Sequence, residues 1–184
     1  QSSVDEAFVN MTGTESLFEP PEEAAGLIKR RVKEKTGLII SIGIAANKFL
    51  AKLASDYDKP DGLYRVMPGQ EEIFIDSLEL GDLWGIGKKS LERLYELNIT
   101  TPAELRALKQ ASLCRLFGKA AGEYLYRAAR GIDPGILQKE TKSRSISGEV
   151  TFEQDTRDPE VVKQVLLDLS HQIMFRLLNS DKIG

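Results

Sequence analysis

With one cysteine, Cys114, and one histidine, His171, in 184 residues, the chain cannot build a disulfide framework or a Cys/His zinc site of its own. Both side chains are expected to pack or to lie at the surface, without a chemical role. Long apolar runs are missing too: none approaches the roughly 18 residues that a bilayer-crossing helix needs, and no basic-then-apolar leader opens the chain. A cytoplasmic setting is therefore the default expectation. Extreme polarity is also absent, since 41% apolar and 29% charged residues are ordinary for a globular protein and argue against disorder. The length suffices for one large or two small domains, each with a core.

A net charge of −3 conceals a pattern along the chain. Residues 1–83 carry nine basic against fifteen acidic side chains, residues 84–144 carry twelve against six, and residues 145–184 carry four against seven. A basic middle third in an acidic protein reads as one segment facing a polyanion and another binding cations.

The cation-binding candidate lies at the beginning. Asp5 and Glu6 sit just ahead of the strand-like run Ala7-Phe8-Val9, where successive side chains point to opposite faces. A tight turn at the strand's entry could aim both acids at one cleft. Hard carboxylate oxygens suit Mg²⁺, which is held by one or two carboxylates together with water and substrate phosphates. The same pair is also what a solvated strand edge looks like. Gln1 leads into this run without a start methionine, so the chain is expected to be a fragment of a longer protein.

Further along, Pro20-Pro21-Glu22-Glu23 marks a helix start, Ala24, Leu27, Ile28 and Val32 share a face, and Gly37 supplies the stop. Leu38 to Ile44 reads as a nearly continuous apolar strand covered on both faces. A helix from Ala46 to about Tyr57 buries Phe49, Leu50, Leu53 and Ala54, with Lys48 and Lys52 off that face. It ends at the turn Asp58-Lys59-Pro60-Asp61-Gly62, and Leu63–Val66 is a short strand. Strand, helix, strand, helix, strand is the pattern of an α/β sheet.

From Pro68 the reading is all-helical, with segments near 71–77, 78–83, 88–97, 102–108, 112–117 and 120–131. Within it, Gly85-Ile86-Gly87-Lys88-Lys89 puts a tight turn ahead of a helix whose first N–H groups and two lysines suit a phosphate. This is the form of a helix-hairpin-helix, which grips a nucleic-acid backbone without reading bases. Residues 138–143 read as a linker, 143–152 alternate as a half-exposed strand does, and 159–178 form a long amphipathic helix. A lone strand and helix need further support, from the helical region, a partner or a second copy. The fold class expected is α+β.

Ser3-Val4-Asp5-Glu6-Ala7, Ser41-Ile42-Gly43-Ile44-Ala45-Ala46-Asn47-Lys48, Ala51-Lys52-Leu53-Ala54-Ser55, Lys59-Pro60-Asp61-Gly62 and Gly85-Ile86-Gly87 occur in the order in which similar motifs occur in Y-family (translesion) DNA polymerases. The chain resembles that family, UmuC/DinB-like, over essentially its whole length. The resemblance implies the later part of a palm domain at 1–67, a helical thumb with its helix-hairpin-helix at 68–137, and a linker with the start of an α/β little-finger domain at 138–184. It implies that Asp5 is a ligand of two Mg²⁺ ions, that Glu6 is the adjacent catalytic and metal-binding acid, and that Ser3 shapes their turn. Lys59 would approach the triphosphate of an incoming dNTP. Gly85, Gly87, Lys88 and Lys89 would touch the phosphates of primer-template DNA, and Ser143, Arg144 and Ser145 the template strand. Two such ions about 3.5–4 Å apart clamp the attacking hydroxyl and the leaving pyrophosphate of an in-line displacement.

Two departures qualify the resemblance. The family's other metal-binding aspartate and its fingers would precede Gln1, so the fragment by itself is expected not to polymerise. Trp84 stands where most members carry proline, which resembles the SOS-mutagenesis subgroup and implies accessory proteins or a sliding clamp as partners of the parent. A non-catalytic DNA-binding or adaptor member of the same family stays open as an alternative. A nucleotide cyclase with a palm-like sheet would leave the hairpin and the basic middle third without a task.

Overall fold

The computed structural model describes residues 5–14, 16–18, 20–135 and 145–179. It divides into two compact units, Gln1–Lys139 and Glu140–Gly184.

In the first unit, helix α1 spans Pro21–Thr36. Proline at its first turn, Glu22 and Glu23 beside it, and Gly37 in the left-handed conformation (φ 74°) after it are the local signals for start and stop. Strand β1 (Ile42–Ile44), helix α2 (Lys48–Tyr57) and strand β2 (Leu63–Arg65) follow as one β-α-β unit. The two strands run parallel, Ile42 opposite Leu63 and Ile44 opposite Arg65, as a helical crossover requires. Asn47 caps α2, its side chain accepting from the Leu50 N–H at 2.9 Å. The helix lies close on β1: a Cβ on Gly43 would stand 2.1 Å from the Ala51 carbonyl oxygen, so only glycine fits there.

Helix α1 meets the sheet through two small buried side chains and through ion pairs at its rim. Of its residues only Ala24 and Ala25 are buried. The Arg65 guanidinium donates to both Glu22 carboxylate oxygens at 3.1 Å, and Lys29 Nζ meets Asp61 Oδ1 at 2.9 Å. Arg65 and the free N–H at the helix start hold the Glu22 carboxyl below its ordinary range, the backbone contribution being the largest.

The remainder of this unit is helical: α3 (Glu71–Asp76), a 3-10 turn (Leu80–Asp82), α4 (Lys88–Glu96), α5 (Pro102–Ala107), α6 (Gln110–Phe117) and α7 (Lys119–Ala128). Thr101 and Glu104 form a reciprocal capping box at α5, each side chain satisfying an N–H that the helix leaves open. One apolar cluster runs from Phe49, Leu50 and Leu53 of α2 through Phe74, Ile75, Leu80, Leu83, Leu94 and Leu105 to Leu113 and Leu125. Each fully buried Leu, Ile or Phe contributes about 1.5–3 kcal/mol, so the sheet and the helices share their main stabilisation. Arg106 adds a polar tie, donating to Asp76 Oδ1 at 2.7 Å, meeting Glu72 at 3.5 Å and reaching the Ala129 carbonyl at 3.3 Å.

In the second unit, helix α8 spans Pro159–Leu178, with Asp158 as its cap. Residues 145–150 lie against its half-buried side, Gly148 beside Leu169 and Ile173, with Arg176 donating to the Ser147 carbonyl at 3.2 Å. No described helix is long and apolar enough to cross a membrane.

Three sequence expectations are corrected. Residues 7–9, and residues 145–152 of the expected strand 143–152, make no strand ladder among the described residues, and the apolar run 38–44 forms ladder only at Ile42–Ile44. Leu38 and Ile39 are 63% and 58% exposed, so the run is not covered on both faces. The reason is common to all three: a strand exists only where a neighbouring backbone takes up its N–H and C=O groups, and alternation or apolarity supplies no neighbour.

Candidate active site and nucleic-acid interface

The acidic segment is held by lysines of α2. Glu6, partly exposed, takes Lys52 Nζ at 2.6 Å on Oε1, while Lys48 Nζ stands 6.0 Å from the centre of the Phe8 ring. Lys48 and Lys52 are one helical turn apart and so project from the same side of α2. The expectation that these lysines lie off the buried face needs a correction for Lys52, whose side chain is only 13% exposed. Its ammonium also meets Asp56 Oδ2 at 2.7 Å, and Asp56 Oδ1 in turn meets Lys59 Nζ at 2.5 Å. Burial pushes the Lys52 ammonium toward neutrality, but the bonds to Asp56 and Glu6 outweigh it and its pKa is raised. Asp56 is the converse: burial raises its pKa, and Lys52 and Lys59 together bring it below the ordinary value.

The result is a row of alternating charges, Glu6, Lys52, Asp56 and Lys59, running from the acidic segment along α2 to the turn after it. Sequence reasoning singled out the two ends of this row. Lys52 enters it only as part of a motif and as lying off the buried face, and Asp56 is not singled out, although their spacing of four on a helix is the available signal.

Asp5 is exposed and Ser3 lies outside the described residues. Among the described residues no three His, Cys, Asp or Glu side chains converge as metal ligands. The donors on hand are thus two adjacent hard carboxylates at the edge of the unit. That set fits a divalent cation that completes its shell with water and phosphate oxygens.

The hairpin candidate is built by the 3-10 turn, the bend Leu83–Gly87 and α4. Gly85 has φ 91°, a conformation that glycine adopts without cost. Gly87 is the N-terminal cap of α4, with no side-chain cap bond. Gly85, Gly87, Lys88 and Lys89 are all exposed, whereas Leu83 and Ile86 between them anchor in the core. The bend is held from outside by Tyr124 of α7, whose hydroxyl donates to the Trp84 carbonyl. Burial, with a smaller contribution from Asp133, pushes the Tyr124 pKa up to about 12. Nothing in the sequence pointed to this tyrosine, because its partner is 40 positions away. Ser143 and Arg144 lie outside the described residues, and Ser145 is exposed in the second unit. Cys114 is half-buried, with Sγ 3.6 Å from the Lys119 carbonyl oxygen.

Two family models match the chain: impB/mucB/samB family over residues 1–56, and DNA polymerase-iota, thumb domain, over residues 81–133. The chain is 41% identical over its full length to a DNA polymerase IV of Treponema denticola and 38% identical over 92% of its length to one of Nitrosopumilus maritimus, spanning 47% of each. Among solved structures, a Y-family DNA polymerase chimera of Dbh and Dpo4 is similar with a TM-score of 0.77 at 31% identity, over 95% of this chain and 51% of that one. A DinB family error-prone DNA polymerase from Sulfolobus solfataricus gives 0.61 at 30% identity, over 89% of this chain and 49% of that one. The chain belongs to the Y family of DNA polymerases. It spans about half the length of the curated relatives that it matches. In this Y-family chain the impB/mucB/samB match covers Asp5, Glu6 and helix α2 as far as Asp56, and the thumb match covers the Gly85-Ile86-Gly87 hairpin.

Proposed function

We propose that the protein to which this chain belongs is a DNA-directed DNA polymerase that copies past damaged bases, transferring nucleotides from dNTPs onto primer-template DNA. The observation that carries this reading is the presence, in one folded unit, of the adjacent carboxylates Asp5 and Glu6, Glu6 held by Lys52, and an exposed Gly-x-Gly hairpin. It is supported by 41% identity along the whole chain to a DNA polymerase IV.

In this reading residues 1–67 are palm, 68–137 thumb, and 138–184 a linker with the first part of a little-finger domain. Asp5 and Glu6 hold the catalytic cations, Mg²⁺ being the one suited to carboxylate, water and phosphate oxygens. When bound, the metal supplies charge neutralisation and polarisation at the reacting phosphate. Lys52 holds the Glu6 carboxylate through its ion pair, and Lys59 offers its ammonium to the triphosphate. At the hairpin, the exposed N–H groups that open α4 and the Lys88 and Lys89 side chains hold backbone phosphates. Ser145, with Ser143 and Arg144, lies along the template strand. DNA repair within the SOS response, a cytoplasmic location, and a clamp or accessory partner of the whole protein belong to the same proposal.

A non-catalytic adaptor of the same family would keep the hairpin and dispense with the acids. In the whole polymerase, Asp5→Ala and Glu6→Ala should each cost orders of magnitude in primer extension with the fold intact; substantial synthesis by both variants would leave the adaptor reading. The chain alone should bind primer-template DNA without sequence preference, with affinity falling steeply as salt rises. Reversing Lys88 and Lys89 to glutamate should weaken that binding uniformly, and unchanged affinity would return the hairpin to a purely structural role.

A further inference from the structure

Each inner member of the row Glu6–Lys52–Asp56–Lys59 serves two partners at once. The Lys52 ammonium is divided between Glu6 (2.6 Å) and Asp56 (2.7 Å), and the Asp56 carboxylate between Lys52 (2.7 Å) and Lys59 (2.5 Å), through different oxygens. Lys59 and Asp56 are 55% and 41% exposed, whereas Lys52 is 13% exposed. The outer lysine can therefore leave into solvent at little cost, since an ion pair between exposed groups is weak. The inner lysine cannot leave, because burial requires it to keep a carboxylate. It can only shift its weight from one carboxylate to the other.

Resting on the proposed roles of Glu6 and Lys59, we infer that Lys52 and Asp56 are positioning residues that couple the cation site at Glu6 to the triphosphate site at Lys59. A polyphosphate that draws Lys59 away leaves Asp56 with Lys52 as its remaining partner. Lys52 then moves toward Asp56, and Glu6 is released to accept a cation. In the other direction, a cation on Glu6 repels the Lys52 ammonium toward Asp56, which loosens Lys59 for the phosphates. Such coupling is reciprocal by thermodynamic necessity. It keeps Glu6 neutralised by a fixed ammonium until nucleotide arrives, so that the acidic segment is not left as an uncompensated charge. Neither Lys52 nor Asp56 touches the reacting atoms in this scheme.

The test uses the 184-residue chain with isotope-labelled lysine, inorganic tripolyphosphate as the probe, and no divalent cation, so that attraction between metal and phosphate cannot contribute. The side-chain nitrogen signals of Lys52 and Lys59 should shift together, with one half-saturation concentration. In Asp56→Asn the Lys59 signal should still respond and the Lys52 response should be lost. In Lys59→Gln, without tripolyphosphate, the Lys52 signal should already stand where saturating tripolyphosphate places it in the parent chain. A Lys52 signal that stays still while Lys59 shifts, a Lys52 response that survives in Asp56→Asn, or a Lys59→Gln signal at the unliganded position would each overturn the coupling while leaving the polymerase reading in place. A Lys59 signal that does not respond would overturn the triphosphate role of Lys59 and the coupling with it.

Discussion

Replacing one glycine by alanine in two different helices should change stability in opposite directions. Gly122 lies in the first half of α7, where a Cβ would stand 2.3 Å from the Cys114 backbone nitrogen, 2.4 Å from its Cα and 2.5 Å from the Leu113 carbonyl carbon. Ordinary contacts between such atoms need about 3.5 Å, so α6 and α7 would have to separate by roughly 1 Å. All three obstructing atoms are backbone, and no rotamer change relieves them. Helix propensity alone favours alanine over glycine by about 1 kcal/mol, while overpacking of this kind costs about 1–3 kcal/mol and occasionally more. The contact should win at Gly122, with a net loss of about 1–2 kcal/mol and a fall in Tm of roughly 2–8 °C. Gly26 in α1 is the internal control, because a Cβ there meets nothing nearer than the Arg30 guanidinium at 3.8 Å. Gly26→Ala should therefore gain about 0.5–1 kcal/mol. Urea and thermal denaturation followed by far-ultraviolet circular dichroism read both variants. A Gly122→Ala protein as stable as its parent would show that α6 and α7 do not approach as described.

Three other perturbations test the ties between elements. Tyr124→Phe removes the hydroxyl that holds the hairpin bend through the Trp84 carbonyl and should cost about 1 kcal/mol. Because the tyrosine pKa is raised from about 10 to about 12, its contribution is complete below about pH 10 and is lost as pH rises through about 12; the phenylalanine variant should lack that alkaline slope in its denaturation midpoint. Asn47→Asp keeps the oxygen that caps α2 but replaces the amide that donates to the Gly131 carbonyl at 2.9 Å. Capping alone predicts no loss from a carboxylate at a helix start, so a loss of about 1–2 kcal/mol in a thermal melt would report the link between α2 and the end of α7, and full stability would refute it. Arg106→Lys keeps the charge facing Asp76 and Glu72 but not the fork that also reaches the Ala129 carbonyl; a loss of about 1–2 kcal/mol is expected in urea denaturation.

Much of the helical region was legible before any coordinates, because its signals are local. Pro21 and Gly37 bracket α1, the segment near 102–108 matches α5, and Gly85 and Gly87 mark the bend before α4. Each of these motifs satisfies its own backbone within a few residues, so composition and spacing suffice. The ordered motifs around Asp5, Asn47, Lys59 and Gly85 likewise pointed to the Y family, which the comparisons support. Strands were less legible. Strand readings at 7–9 and 143–152 meet no ladder among the described residues, whereas the apolar run 38–44 does at Ile42–Ile44.

What the amino-acid sequence determined by itself was the set of helices with their ends to within about three residues, the exposed glycine hairpin and the acidic pair. Tertiary structure decided which charges meet. Lys52 could have faced solvent on α2, but docking of the acidic segment beside it placed its ammonium between Glu6 and Asp56. Tyr124 and Arg106 acquired their roles in the same way, from partners 40 and 30 positions distant. Local backbone bonding is settled within a turn or two of chain, whereas the partner of a side chain depends on which surfaces the burial of Leu50, Leu83, Leu94 and Leu125 brings together.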